Sequence, residues 1–221
     1  MDALIIVMVV IIIFLYYYHD QEKYITVYKN NIQWKVLKKY SNYNQAAEAM
    51  TRLNTDIIAF LRHLKAKYYI DATDDIISKN KKVYAEMLNK PNDIYNMVEH
   101  LLDNYNPEVI YESDPTGGST SYTLGKGRKL YICVRDNSSP YVIINHQILM
   151  FVMLHELSHI ANYRGWGHGT DFWECFKWLL YEAAKSGLYE PVDYAKHPSK
   201  YNKLVINYQP LYDTKLTNLW E

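Results

Sequence analysis

Residues 155–159 read His-Glu-Leu-Ser-His, and His168 follows after eight intervening residues. On a helix, positions i and i+4 lie one turn apart on the same face, so His155 and His159 can present ring nitrogens to a single ion. Glu156 stands beside the first ligand, near the ion's open side, where its carboxylate can take a proton from a water molecule. Two imidazole ligands and a carboxylate base at this spacing specify metal-assisted hydrolysis. The surrounding stretch, residues 142–162, is strongly apolar, with no polar residue from 148 to 154. A helix this apolar is expected to be buried, and two histidines and a glutamate inside it would be costly without a partner. A metal ion is such a partner.

Catalytic zinc takes three protein ligands and keeps one open position. His168 is the candidate third ligand. It lies in Arg164-Gly165-Trp166-Gly167-His168-Gly169, where three glycines permit a sharp turn back toward the helix. Thr170 is placed to cap a following helix over residues 171–186, with Asp171 in its first turn and Gly187 at its end. Phe172, Phe176, Leu179 and Leu180 form the apolar side of that helix. Asp171 is also a candidate acceptor for the free N–H of a ligand histidine. The remaining histidines lack ligand spacing: His146 is out of phase with His155, and His19, His63, His100 and His197 stand apart from the motif.

The run Leu154-His155-Glu156-Leu157-Ser158-His159-Ile160, followed by Gly167-His168-Gly169-Thr170-Asp171-Phe172-Trp173, resembles the WLM metallopeptidases, relatives of the SprT-like proteases. The resemblance is strongest to the small WLM-like proteins of large DNA viruses and covers about residues 92–215. It implies a zincin-like metallopeptidase core with one Zn2+ per chain, His155, His159 and His168 as ligands and Glu156 as base. The implied activity is hydrolysis of peptide bonds in a protein or peptide substrate. SprT-like and WLM proteases act on proteins crosslinked to DNA, which gives one alternative reading. A non-catalytic zinc site in a membrane-anchored structural or virion protein is another, though such sites are usually closed by a fourth protein ligand.

Residues 3–18 are uncharged and almost wholly aliphatic or aromatic. As a helix they would extend about 24 Å, short of a roughly 30 Å hydrocarbon core but within reach if flanking residues snorkel. Tyr16, Tyr17 and Tyr18 would then fall at the interface. No basic residue precedes this run and no small-residue cleavage site follows it, so an uncleaved N-terminal transmembrane anchor is expected rather than a signal peptide. Lys23, Lys29, Lys35, Lys38 and Lys39 come after it, which puts the body of the chain on the cytoplasmic side of a host or virion membrane. Cys133 and Cys175 read as core residues of a reducing compartment.

The elements that must position the site follow from periodicity. Over residues 44–68, Ala47, Met50, Leu53, Ile57, Phe60, Leu61 and Leu64 recur at helical spacing. A second helix is expected over 92–103, after Pro91. Residues 121–124 and 130–134, joined by Gly125-Lys126-Gly127, read as a hairpin. The strand over 129–136 is expected near a free sheet edge to which a substrate strand could add. Residues 19–43 read as a juxtamembrane stretch, helical near 32–37. The expected architecture is therefore α+β: an anchor over 1–18, the juxtamembrane segment, and one catalytic domain over 44–221. Lys plus Arg equals Asp plus Glu at 24 each, so no basic field draws nucleic acid, and no dedicated nucleic-acid-binding module is visible. For the oxyanion of amide hydrolysis, Tyr194 and Tyr201 are candidate donors.

Overall fold

In the computed structural model, residues 3–68 and 94–220 are described. Helix α1 spans Ala3–Glu22. Strands β1 (Tyr24–Lys29) and β2 (Ile32–Leu37) follow, then helix α2 (Tyr43–Tyr68). After α3 (Ile94–Asn104) come β3 (Ile110–Glu112), β4 (Tyr122–Leu124) and β5 (Lys129–Ile132). Helices α4 (His146–Ala161) and α5 (Thr170–Lys185) carry the motif region, and β6 (Ser199–Tyr201) and β7 (Leu204–Ile206) form a separate hairpin.

The main sheet is mixed, in the order β1-β2-β3-β5-β4. Its outer pairs are antiparallel and its inner pairs parallel. Helix α2 packs on β1 and β2 and against α3 and α4, while α4 packs on β4, α3 and α5. The periodic residues of α2 are all buried, as their spacing predicts. Helix α4 buries eleven of its sixteen residues because it lies between its neighbours rather than on the surface. Cys133 and Cys175 are free thiols in this core. The fold is thus α+β, built as helices against a mixed sheet.

Several expectations are corrected. No described helix is long and apolar enough to cross a membrane. The uncharged run of α1 gives about 24 Å of rise, and its last turn is His-Asp-Gln-Glu, which cannot lengthen an apolar span. The transmembrane anchor over residues 3–18 therefore does not hold, and the single-pass, cytoplasmic-side placement argued from it goes with it. The side chains of Tyr16, Tyr17 and Tyr18 lie outside the described residues. The region near 32–37 is a strand, not a helix: residues 24–37 fold into a hairpin in full register, Tyr24 opposite Leu37 through Lys29 opposite Ile32. Its two turn residues, Asn30 and Asn31, both adopt positive φ (48° and 63°), the geometry that matches the twist of the flanking strands. Strand β5 ends at Ile132 and lies between β3 and β4, so the free edge beside the motif helix is β4. The expected start of α3 at Asn92 lies outside the described residues.

Candidate metal centre

Helix α4 begins at Asn145, whose side chain accepts from the Gln147 N–H, and ends at Asn162. This span fixes His155 and His159 one turn apart near its C-terminal end. The chain then turns through Gly165 and Gly167, the latter at φ 74°, and delivers His168 immediately before α5. Gly169 rather than Thr170 occupies the cap position of α5, with no side-chain cap; Thr170 is the first helical residue.

The three imidazoles converge. Their ligand nitrogens all lie within 4.8 Å of one another, and Nε2 of His155 is 3.1 Å from Nε2 of His168. At a Zn–N distance of about 2.0–2.1 Å, tetrahedral ligands place their nitrogens about 3.3 Å apart. The donor set and its spacing thus fit one divalent ion. Phe172, fully buried on α5, packs against all three rings at centroid distances of 4.9, 4.4 and 4.6 Å to His155, His159 and His168. One apolar side chain therefore limits the orientation of the whole triad. Burial pushes the His155 imidazole down to about 3, reinforced by His159 and His168, and that of His159 down to about 4, reinforced by His168 and Lys126. His168, more exposed, is lowered by burial in the same sense. Neutral imidazole is the form that binds metal.

Glu156 is 3 % exposed, and burial raises its carboxyl to about 7 against the opposing hydrogen bond from Thr123. That bond runs 2.8 Å from Thr123 Oγ1 on the edge strand β4 to Glu156 Oε2. Sequence reasoning did not find Thr123, because its role depends on a sheet edge meeting a helix 33 residues further along. A cleft of about 230 Å³ opens over the triad, walled by Ser121, Tyr122, Thr123, Lys126 and Trp166. A second pocket of about 150 Å³ shares Ser121, His155 and Glu156 with it. Phe151, Val152, Leu204 and Ile206 make that second pocket mostly apolar.

Three of the other histidines are engaged elsewhere. His146 Nε2 lies 2.6 Å from Asp56, His63 Nε2 3.2 Å from Glu182, and His100 Nδ1 2.8 Å from the Ile160 carbonyl oxygen. His197 is exposed, and the side chain of His19 lies outside the described residues. Among the described residues, Asp171 makes no hydrogen bond to His155, His159 or His168, so the outer-ligand role considered for it is not realised. The tyrosines proposed as oxyanion donors are also committed. Tyr194 is buried edge-on against Phe151, and the Tyr201 hydroxyl donates to the Cys133 carbonyl and meets Ser121 Oγ.

Two viral proteins are similar to the chain. An uncharacterized protein of Acanthamoeba polyphaga mimivirus is 29% identical over 147 residues, covering 65% of this chain and 72% of the relative. An uncharacterized protein of Invertebrate iridescent virus 6 is 32% identical over 91 residues, covering 41% of this chain and 49% of that protein. These relatives support a viral origin for the chain. No family model and no solved structure matches it.

Proposed function

We propose that the chain is a zinc-dependent metalloendopeptidase of the WLM and SprT-like kind. The observation that carries this reading is the convergence of His155, His159 and His168 beside the buried carboxylate of Glu156 at the floor of an open cleft. When bound, zinc supplies Lewis acidity that polarises a carbonyl and makes water nucleophilic near neutral pH. His155, His159 and His168 would hold the ion. Glu156 accepts the proton of the attacking water and passes it to the departing amine, with Thr123 fixing the carboxylate's orientation. Strand β4 offers its free edge to an extended substrate segment, and the adjoining apolar pocket takes a side chain of that segment. The absence of net charge gives no support to a reading centred on DNA.

The test is Glu156→Gln in zinc-loaded full-length protein, assayed on unstructured protein substrates. Loss of a positioned general base is expected to lower hydrolysis by about 10²–10⁴-fold with zinc content unchanged. Wild-type rates in this variant, or no hydrolysis by a wild-type protein carrying one zinc per chain, would remove the proposal.

A further inference from the structure

Lys126 lines the same cleft, yet neither ligand binding nor proton transfer uses it. It sits in the turn joining β4 to β5 at φ 56° and ψ 44°, a left-handed conformation uncommon for a residue with a β-carbon. Glycines at positive φ flank it, Gly125 at 57° and Gly127 at 103°. A β-carbon on Gly127 would lie 2.6 Å from the Asn104 carbonyl oxygen, so this turn is pressed against the end of α3 and held there. The Lys126 side chain therefore leaves a fixed backbone.

It reaches the segment between α4 and α5. Its ammonium donates to the carbonyl oxygens of Asn162 and Gly165 and lies 4.8 Å from the centroid of the Trp166 ring. An ammonium has three donors. Two are used by those carbonyls, and the Trp166 ring lies beside the group, so the Lys126 side chain is held by the loop. Apart from the packing of His168 on Phe172 and Trp173, the connecting segment has few other holds. Among the described residues, no backbone–backbone hydrogen bond involves 164–168, and Trp166 is 78 % exposed. Yet this segment must carry His168 to within 3.1 Å of His155.

We propose that Lys126 is the positioning residue for the third imidazole: by clasping the Asn162 and Gly165 carbonyls it sets the path of the loop that presents His168. Its consequence for zinc rests on the metallopeptidase reading, whereas the clasp itself is a property of the loop and can be measured without metal. Partners one step removed from a metal typically influence its affinity about 10- to 100-fold. The Gly-Lys-Gly sequence is then more than a hairpin turn; its two glycines let a charged side chain leave the sheet edge and span to another element.

The test compares Lys126→Met and Lys126→Arg with wild type. In metal-free protein, amide hydrogen exchange at Asn162 and Tyr163, whose N–H groups donate to the Ser158 and Ala161 carbonyls at the start of the loop, is expected to quicken at least about 10-fold in Lys126→Met, with the interiors of α4 and α5 as protected as before. Zinc affinity, by chelator competition, should fall about 10- to 100-fold, and the visible spectrum of the cobalt(II)-substituted protein should change as the ligand set loosens. Lys126→Arg, which keeps the charge and the donors, should recover most of both. Wild-type exchange and affinity in Lys126→Met overturn the proposal, as does uniform loss of protection throughout α4 and α5. If the loop loosens but wild type binds no zinc, the clasp stands and the metal reading falls. Should Lys126→Met not fold, Lys126→Gly suits the left-handed backbone there, carries no side-chain donor and gives the same measurement; wild-type loop exchange in it also overturns the proposal.

Discussion

Zinc added to chelator-stripped protein is expected to raise its melting temperature, and the size of the rise can be worked out. The three imidazoles are brought within 4.8 Å of one another only by the fold, so an ion held by all three would bind the native state far better than the unfolded chain. At free zinc one hundredfold above the dissociation constant, preferential binding stabilises the native state by about 2.7 kcal/mol. For a chain of 221 residues, each kcal/mol moves the melting temperature by about 2–4 °C. The expected rise is therefore about 5–11 °C, slightly less if His155 and His159 retain zinc in the unfolded chain. Calorimetry or fluorescence-monitored melting across a zinc titration gives the value directly. His168→Ala should abolish most of the shift while altering the metal-free melting temperature little, because His168 is exposed. A wild-type melting temperature unmoved at saturating zinc, or a full shift in His168→Ala, would refute the reasoning.

Other outcomes follow from the same structure. Glu112 and Arg135 form a fully buried ion pair, with Leu37 N–H donating to Glu112 and Asn42 accepting from Arg135. Arg135→Met alone should cost about 3–5 kcal/mol in chemical denaturation, and adding Glu112→Gln should recover at least about 1 kcal/mol of it. For Asp114, burial alone would raise the carboxyl, but hydrogen bonds from Lys39 and Thr116 hold it at about 2. Because its folded pKa lies below the unfolded value, this group's stabilisation is present above about pH 4 and lost as pH falls toward 2. Wild type should therefore lose more stability than Asp114→Asn in acid titration over that range, by an amount reduced by the site's exposure. Leu204→Asp puts a charge in the wall of the apolar pocket without touching the core. Cleavage profiling on a peptide mixture should then show the preference for bulky apolar side chains reduced about 10- to 100-fold.

The convergence of the three imidazoles was largely legible in the sequence because the residues are close together in the chain. His155, Glu156 and His159 share one helical turn, and the glycines around His168 announce the return of the chain. Helix α2 was legible for a related reason, since seven apolar residues at helical spacing leave few alternatives. The first hairpin was missed although its signal is present: Asn30-Asn31 is a two-residue turn between runs of strand-forming residues, Tyr24-Ile25-Thr26-Val27 and Ile32-Gln33-Trp34-Lys35-Val36. Reading the preceding apolar run as a membrane anchor made this stretch look like its flank. Thr123 and Lys126 gain their roles from contacts between elements far apart in the chain, and no local pattern marks such contacts. Strand order fails for the same reason: the sequence offers a hairpin over β4 and β5 but cannot say which of the two strands β3 will cover.

The residues proposed to hold an ion and move a proton occupy one short stretch, 155–168, whereas most of the walls that would meet a substrate come from 120–126 and 201–206, with Phe151, Val152 and Trp166 added from the motif region. Chemistry and recognition are therefore written in largely separate parts of the chain. On the proposed reading, redesign of the walls would alter recognition and leave the histidine cluster intact, which makes the hairpin β6–β7 the natural place to begin.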